Sequence, residues 1–91
     1  MSDTNGLLDA ASVLEARAAG RLPDRAQLLA GALALDTLCR AEVVDRDLLD
    51  AAADLQMLVN GRGPDLDAAG RARAAHLAEA VRKVASEGTE P

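Results

Sequence analysis

His76 is the only histidine in this 91-residue chain, and Glu79 and Lys83 follow it at helical spacing. A histidine and a carboxylate three residues apart can ligate a metal ion or relay a proton. Either task needs further groups: more ligands for a metal, or a nucleophile for acid–base catalysis. The chain offers no second histidine and a single cysteine, Cys39. A working site would have to form between subunits, from His76, Glu79 and carboxylates of residues 45–54. The ordinary role for such a histidine is a solvated surface group. Cys39 falls between Leu35, Leu38 and other apolar residues, where a cysteine serves as a small hydrophobe. Alone, it can form neither an internal disulfide nor a cysteine metal site. No catalytic, cofactor or metal-binding residue is therefore predicted, and the chain does not read as an enzyme.

Asp36 and Arg40 are the polar pair with most to say. They share a helical sector with Leu29 and Leu33, and an acid within an apolar sector calls for a partner. Arg40, four residues on, can supply it within the helix. If that sector meets another protein, the pair would set the register of the contact. Leu35 to Arg40 (LDTLCR) resembles the modification motif of acyl carrier proteins in its Asp followed by a hydroxyl residue. That family carries its phosphopantetheine arm on a serine at a helix start. Thr37 stands here instead, inside a helix, so no carrier function follows.

Four helices must position these residues. The first is predicted over 6–19, capped by Thr4 or Asn5, with Leu7, Ala11, Leu14 and Ala18 on one stripe. Gly20 closes it and Pro23-Asp24 opens the second, which runs to Arg40. Leu28, Ala32, Leu35, Leu38 and Cys39 form its large apolar face. Ala26, Ala30, Ala34 and Ala41 form a small-residue face, and Leu29, Leu33, Asp36 and Arg40 fill the remaining sector. So apolar a helix is expected at the centre of the fold. The third is predicted from Asp45 to Asn60-Gly61, with Leu48, Ala52, Leu55 and Val59 inward and Asp47, Asp50 and Asp54 outward. The fourth is predicted from Asp65 to Ser86, with Leu66, Gly70, Ala74, Leu77, Val81 and Val84 as its stripe. β-branched residues are few and never alternate, so no strand is expected.

The chain repeats itself. LLDAASVLEARAAGRLPD (7–24) returns as LLDAAADLQMLVNGRGPD (48–65), with 10 identities in 18 positions at an offset of 41. Roughly two would arise by chance in so biased a composition, and fixed-period similarity marks repeated structural units. Past residue 24 the match continues with a one-residue slip, at Ala32/Ala74, Leu35/Leu77 and Arg40/Arg82. The expectation is an all-α, antiparallel up-down four-helix bundle made of two related hairpins, 6–41 and 45–86. A polar lead-in (1–5) and a frayed tail (87–91) flank that single domain.

Composition bounds the function. There are no aromatic residues and the net charge is −5, which makes nucleic acid a poor partner. The acidic stretch 42–67 precedes the more basic 71–83. These are solvated faces that partly neutralise each other, or else Asp47, Asp50 and Asp54 form a secondary acidic surface for a basic partner. No apolar run approaches a membrane span and no leader resembles a signal peptide, so a cytoplasmic location is expected. A core of Leu, Val and Ala in so short a chain is marginal and gains from association. The expected function is a non-enzymatic protein-interaction module (an adaptor, small chaperone or regulatory subunit) that binds a protein or itself, most simply as a homodimer. Its expected interface is the second helix, through Leu29, Leu33, Asp36, Arg40, Ala26, Ala30 and Ala34. The alternatives are the subunit-interface site around His76 and a regulator linked to nucleic acid.

Overall fold

Two glycines end two helices in the same way. Gly20 and Gly61 have φ of 74° and 77°, a left-handed conformation that costs glycine nothing. The Gly20 N–H donates to the Arg17 carbonyl at 3.0 Å and the Arg21 N–H to Ala16 at 2.7 Å. The Gly61 N–H donates to Leu58 at 3.0 Å and the Arg62 N–H to Met57 at 2.7 Å. This is the Schellman pair of bonds, which satisfies carbonyls that a helix end leaves open. The computed structural model describes residues 3–63 and 66–88, and these form four helices: α1 (Asp3–Ala18), α2 (Arg25–Ala41), α3 (Arg46–Val59) and α4 (Ala68–Gly88). No strand occurs among the described residues.

The helix starts follow local chemistry. Asp24 caps α2, its Oδ1 accepting the Gln27 N–H at 3.1 Å. Asp67 does the same for α4, accepting the Gly70 N–H at 2.8 Å, so α4 begins later than the expected Asp65, which lies outside the described residues. Leu66 thus precedes α4 and does not head its stripe. Helix α1 reaches back to Asp3, with Thr4 and Asn5 inside it and not capping it. Neither residue opposes helix strongly enough to stop one whose next turns are packed. Helix α4 continues to Gly88, past Ser86, because no glycine or proline interrupts it earlier.

The four helices close a ring in which α1 packs against α2 and α4, and α3 also packs against α2 and α4. The Cα radius of gyration is 11.9 Å, against about 12 Å for a compact chain of this length. Leu14, Leu35, Leu55 and Leu77 are the largest fully buried side chains, joined by Val13 and Val81. Pairs matched in the repeat are buried together: Leu7 with Leu48, Leu14 with Leu55, Leu35 with Leu77, and Ala32 with Ala74.

A ring has no central member, which corrects the expectation for α2. The most enclosed helix is α1, where Leu7, Ala10, Ala11, Val13, Leu14, Ala16 and Arg17 are all buried. Two neighbours cover it, so the predicted narrow stripe becomes a broad sector. The α1–α2 contact is close. A Cβ placed on Gly31 of α2 would lie 2.6 Å from the Ala10 Cα, and one on Gly6 of α1 would lie 2.5 Å from the Ala34 Cβ. Small residues let the two backbones approach and exchange dispersion contacts directly.

Candidate functional site

The close α1–α2 contact divides the small-residue face of α2. Ala34 packs against the core, and the Ala30 carbonyl faces Gly6. Both residues are half-buried, whereas Ala26 is exposed. The outward sector is occupied by Leu29 and Leu33, which are 46% and 68% exposed. Beside them Arg40 Nε holds Asp36 Oδ2 at 3.0 Å, in an ion pair that both partners leave open to solvent. An exposed pair of this kind contributes at most about 1 kcal/mol. It leaves two adjacent leucines flanked by a fixed dipole.

The predicted acidic surface of α3 is arranged differently from the expectation. Asp54 is buried, not outward. Arg73 of α4 donates to it through Nε at 2.9 Å and through Nη2 at 3.1 Å. Asp50 accepts from Arg46 Nε at 3.1 Å and has Arg73 Nη1 at 4.0 Å. Asp47 lies 2.9 Å from His76 Nε2. Asp54 is therefore paired with α4, Asp50 chiefly with Arg46 of its own helix, and Asp47 faces His76 of α4. The Asp54 hydrogen bond raises the Arg73 pKa, with its charge adding to that effect against partial burial. A second bidentate pair ties α4 to α1: Arg82 donates to both carboxylate oxygens of Glu15, the longer bond being 2.7 Å. It holds the Glu15 carboxyl below its ordinary value, mainly through the hydrogen bond.

Asp47 and His76 line an open cleft of about 370 Å³, with Asp45, Glu79, Lys83 and Glu87 on its walls. The pair can share a proton. No serine, threonine or cysteine is among its described lining residues, and no group of three metal-ligating side chains occurs among the described residues. Cys39 is half-buried, with its Sγ 4.0 Å from the Leu48 carbonyl oxygen. Burial pushes its thiol pKa up and Asp36 adds to the shift, the opposite of what a reactive thiolate needs.

Sequence reasoning missed the contacts of four arginines. Arg73 and Arg82 pair with carboxylates 19 and 67 residues away, beyond any local rule. Arg17 is buried at the end of α1, its guanidinium against Gly63 in the α3–α4 turn, while Arg71 of α4 lies against Gly20 in the α1–α2 turn. Comparison with known proteins finds no family model, no curated relative and no solved structure that matches the chain.

Proposed function

We propose that this chain is a non-enzymatic helical protein-interaction module, of the adaptor, small-chaperone or regulatory-subunit kind, which works by docking a helix against the outer face of α2. The observation that carries this reading is the exposure of Leu29 and Leu33 side by side on that face. Single exposed leucines are ordinary, but adjacent ones beside an ordered ion pair form a patch suited to association. The charges of the other helices support the reading by their occupation: Asp54 is held by Arg73, and Glu15 by Arg82. With those arginines engaged, two of the four cations of the basic stretch 71–83 are taken up by carboxylates, which weakens its grip on phosphates.

The same reading takes the bundle as an up-down arrangement of two duplicated hairpins. The contacts Asp47–His76 and Asp54–Arg73 run in opposite directions along α3 and α4, as Gly31–Ala10 and Gly6–Ala34 do along α2 and α1. The matching Schellman ends at an offset of 41 favour duplication. No helix among the described residues is long and apolar enough to cross a membrane, which agrees with a cytoplasmic module that meets its partner in solution.

Leu33→Asp tests the reading. The variant should keep the helical circular-dichroism signal of the parent while losing association, its melting temperature falling only by the share that association contributes. Light scattering read by refractive index follows the mass, because the chain has no Trp or Tyr. If Leu33→Asp unfolds the chain, the face is core and the reading fails. A second reading, an acid–base or metal site shared between subunits, draws on the Asp47–His76 contact in its cleft. Metal analysis of untagged protein tests it: no bound metal and no change of stability with chelator would remove the metal form.

A further inference from the structure

We infer that the helix docking on α2 is the α2 of a second copy of this chain, lying antiparallel, with residue i of one copy beside residue 62 − i of the other. This rests on the reading of the outer α2 face as a docking surface, and goes on to name its occupant. One outward sector of α2 carries exposed Ala26, Leu29, Leu33 and Arg40 with half-buried Asp36 among them, at spacings of three, four, three and four, and Arg25, Thr37 and Ala41 are exposed beside it. Leu22 lies in the non-helical link just before α2 and is almost wholly exposed. Alternating three and four is the seam along which two helices pair. The seam here is solvent-facing, on the side of α2 opposite the buried Leu28, Gly31, Ala32 and Leu35.

Charge disfavours a parallel pair, and the antiparallel register whose positions sum to 62 joins leucine to leucine while bringing Arg25 near Asp36. In the antiparallel register whose positions sum to 62, Leu29 of each copy meets Leu33 of the other, so four leucines form the centre. Ala26 meets Asp36 of the second copy, and its small side chain leaves room for the carboxylate. Arg25, exposed in the first turn of α2, lies within one residue of that same carboxylate. Each Asp36 is then flanked by its own Arg40, 3.0 Å away, and by Arg25 of the second copy. The two-fold repeats the contact, making the surface complementary to itself. Parallel pairing would instead set Asp36 beside Asp36 and Arg40 beside Arg40. The next antiparallel register, with Leu33 over Leu33, would set Arg40 opposite Ala26 and so within one residue of Arg25. Both juxtapose like charges, which disfavours them. Helix α2 has 17 residues and is about 26 Å long, and a single helix pair lies at the small end of interface sizes. The dimer is therefore expected to dissociate on dilution through the micromolar range.

Light scattering should give twice the 9.4 kDa chain mass at high micromolar concentration. Leu33→Asp, present twice in the dimer, should weaken pairing by roughly a hundred-fold or more, as loss of a central contact does. Orientation is read by cross-linking with Cys39→Ala as the parent. Oxidising a mixture of a Leu29→Cys chain and a Leu33→Cys chain should give the mixed disulfide dimer, because the paired sites lie opposite each other. Each chain oxidised alone should stay monomeric, its two copies of the cysteine being offset by four residues, about 6 Å along the axis. Dimers from each single variant alone would overturn the antiparallel register. A wild-type chain of 9.4 kDa mass at every concentration would overturn self-pairing. With Leu33→Asp still folded, that result would leave the docking reading standing; unfolding of Leu33→Asp would remove both.

Discussion

Replacing Gly31 by Ala sets two effects of opposite sign against each other. In an uncrowded helix interior, Gly→Ala stabilises by about 1 kcal/mol, since it restricts the unfolded chain and improves helix propensity. At Gly31 the new Cβ would lie 2.6 Å from the Ala10 Cα, 2.7 Å from its N and 2.9 Å from its Cβ. Two of these atoms are backbone and cannot swing aside. Ordinary contact needs about 3.5–4 Å, so α1 and α2 must separate by about an ångström where they cross, which weakens neighbouring dispersion contacts by a quarter to a half. Overpacking of this kind costs about 1–3 kcal/mol. Net of propensity, Gly31→Ala should destabilise by up to about 2 kcal/mol, and in a domain of this size each kcal/mol lowers Tm by about 4–8 °C. Thermal and urea melts followed by circular dichroism at 222 nm read this directly. They should be run on the Leu33→Asp parent so that association does not contribute. A Tm equal to or above that of the parent would refute the close α1–α2 approach, and with it the account of why Ala30 and Ala34 turn inward.

Other perturbations follow from the same contacts. Gly61→Ala meets nothing within 4 Å, so its cost is the left-handed backbone alone, about 1 kcal/mol; it should lower the urea midpoint with an unchanged m-value. Asp54→Ala removes a buried carboxylate from Arg73 and should destabilise by about 1–3 kcal/mol, whereas unchanged melts would mean that the pair is not formed. Glu15 titrates below its ordinary value of 4.5 in the folded chain, chiefly through the Arg82 hydrogen bond. Its contribution is thus fully present above pH 4.5 and is lost as pH falls through the lower folded value. The Tm gap between wild type and Glu15→Gln should therefore be constant at neutral pH and close on acidification; both side chains are about half exposed, so the gap should be small and should shrink in high salt.

The helices and the glycine turns that end two of them were legible because their signals are local. Gly20, Gly61 and Asp24 act through bonds to residues three to five positions away. The slip in the α4 start has the same origin: Asp67 stands near Asp65, and composition does not say which of them caps. The acidic face of α3 was misread for a different reason. A helical wheel gives the angle between Asp54 and Leu55, but the closing of the ring decides which flank meets a neighbour. Asp54 lies on the flank that meets α4, so a residue type associated with solvent became buried. The signal was present in Arg73, a cation with no acid within a helical turn, whereas Arg82 has Glu79 three residues before it; neither names a partner 19 or 67 residues away.

The two hairpins also show which residues the bundle can do without. Aligned by the buried pairs Ala32/Ala74 and Leu35/Leu77, Leu29 corresponds to Arg71 and Leu33 to Ala75, and Arg71 and Ala75 are both exposed. The second hairpin thus fills the equivalent outward sector with a cation and a methyl group, and its helix still packs against α1 and α3. Intramolecular packing does not require leucine at these sites. Exposed leucine also carries a solubility cost that an arginine or alanine avoids. The outer face of α2 is thus one place where the first half of the chain exposes leucine that the packing of its counterpart does without, and it is this excess that the proposed docking on α2 would explain.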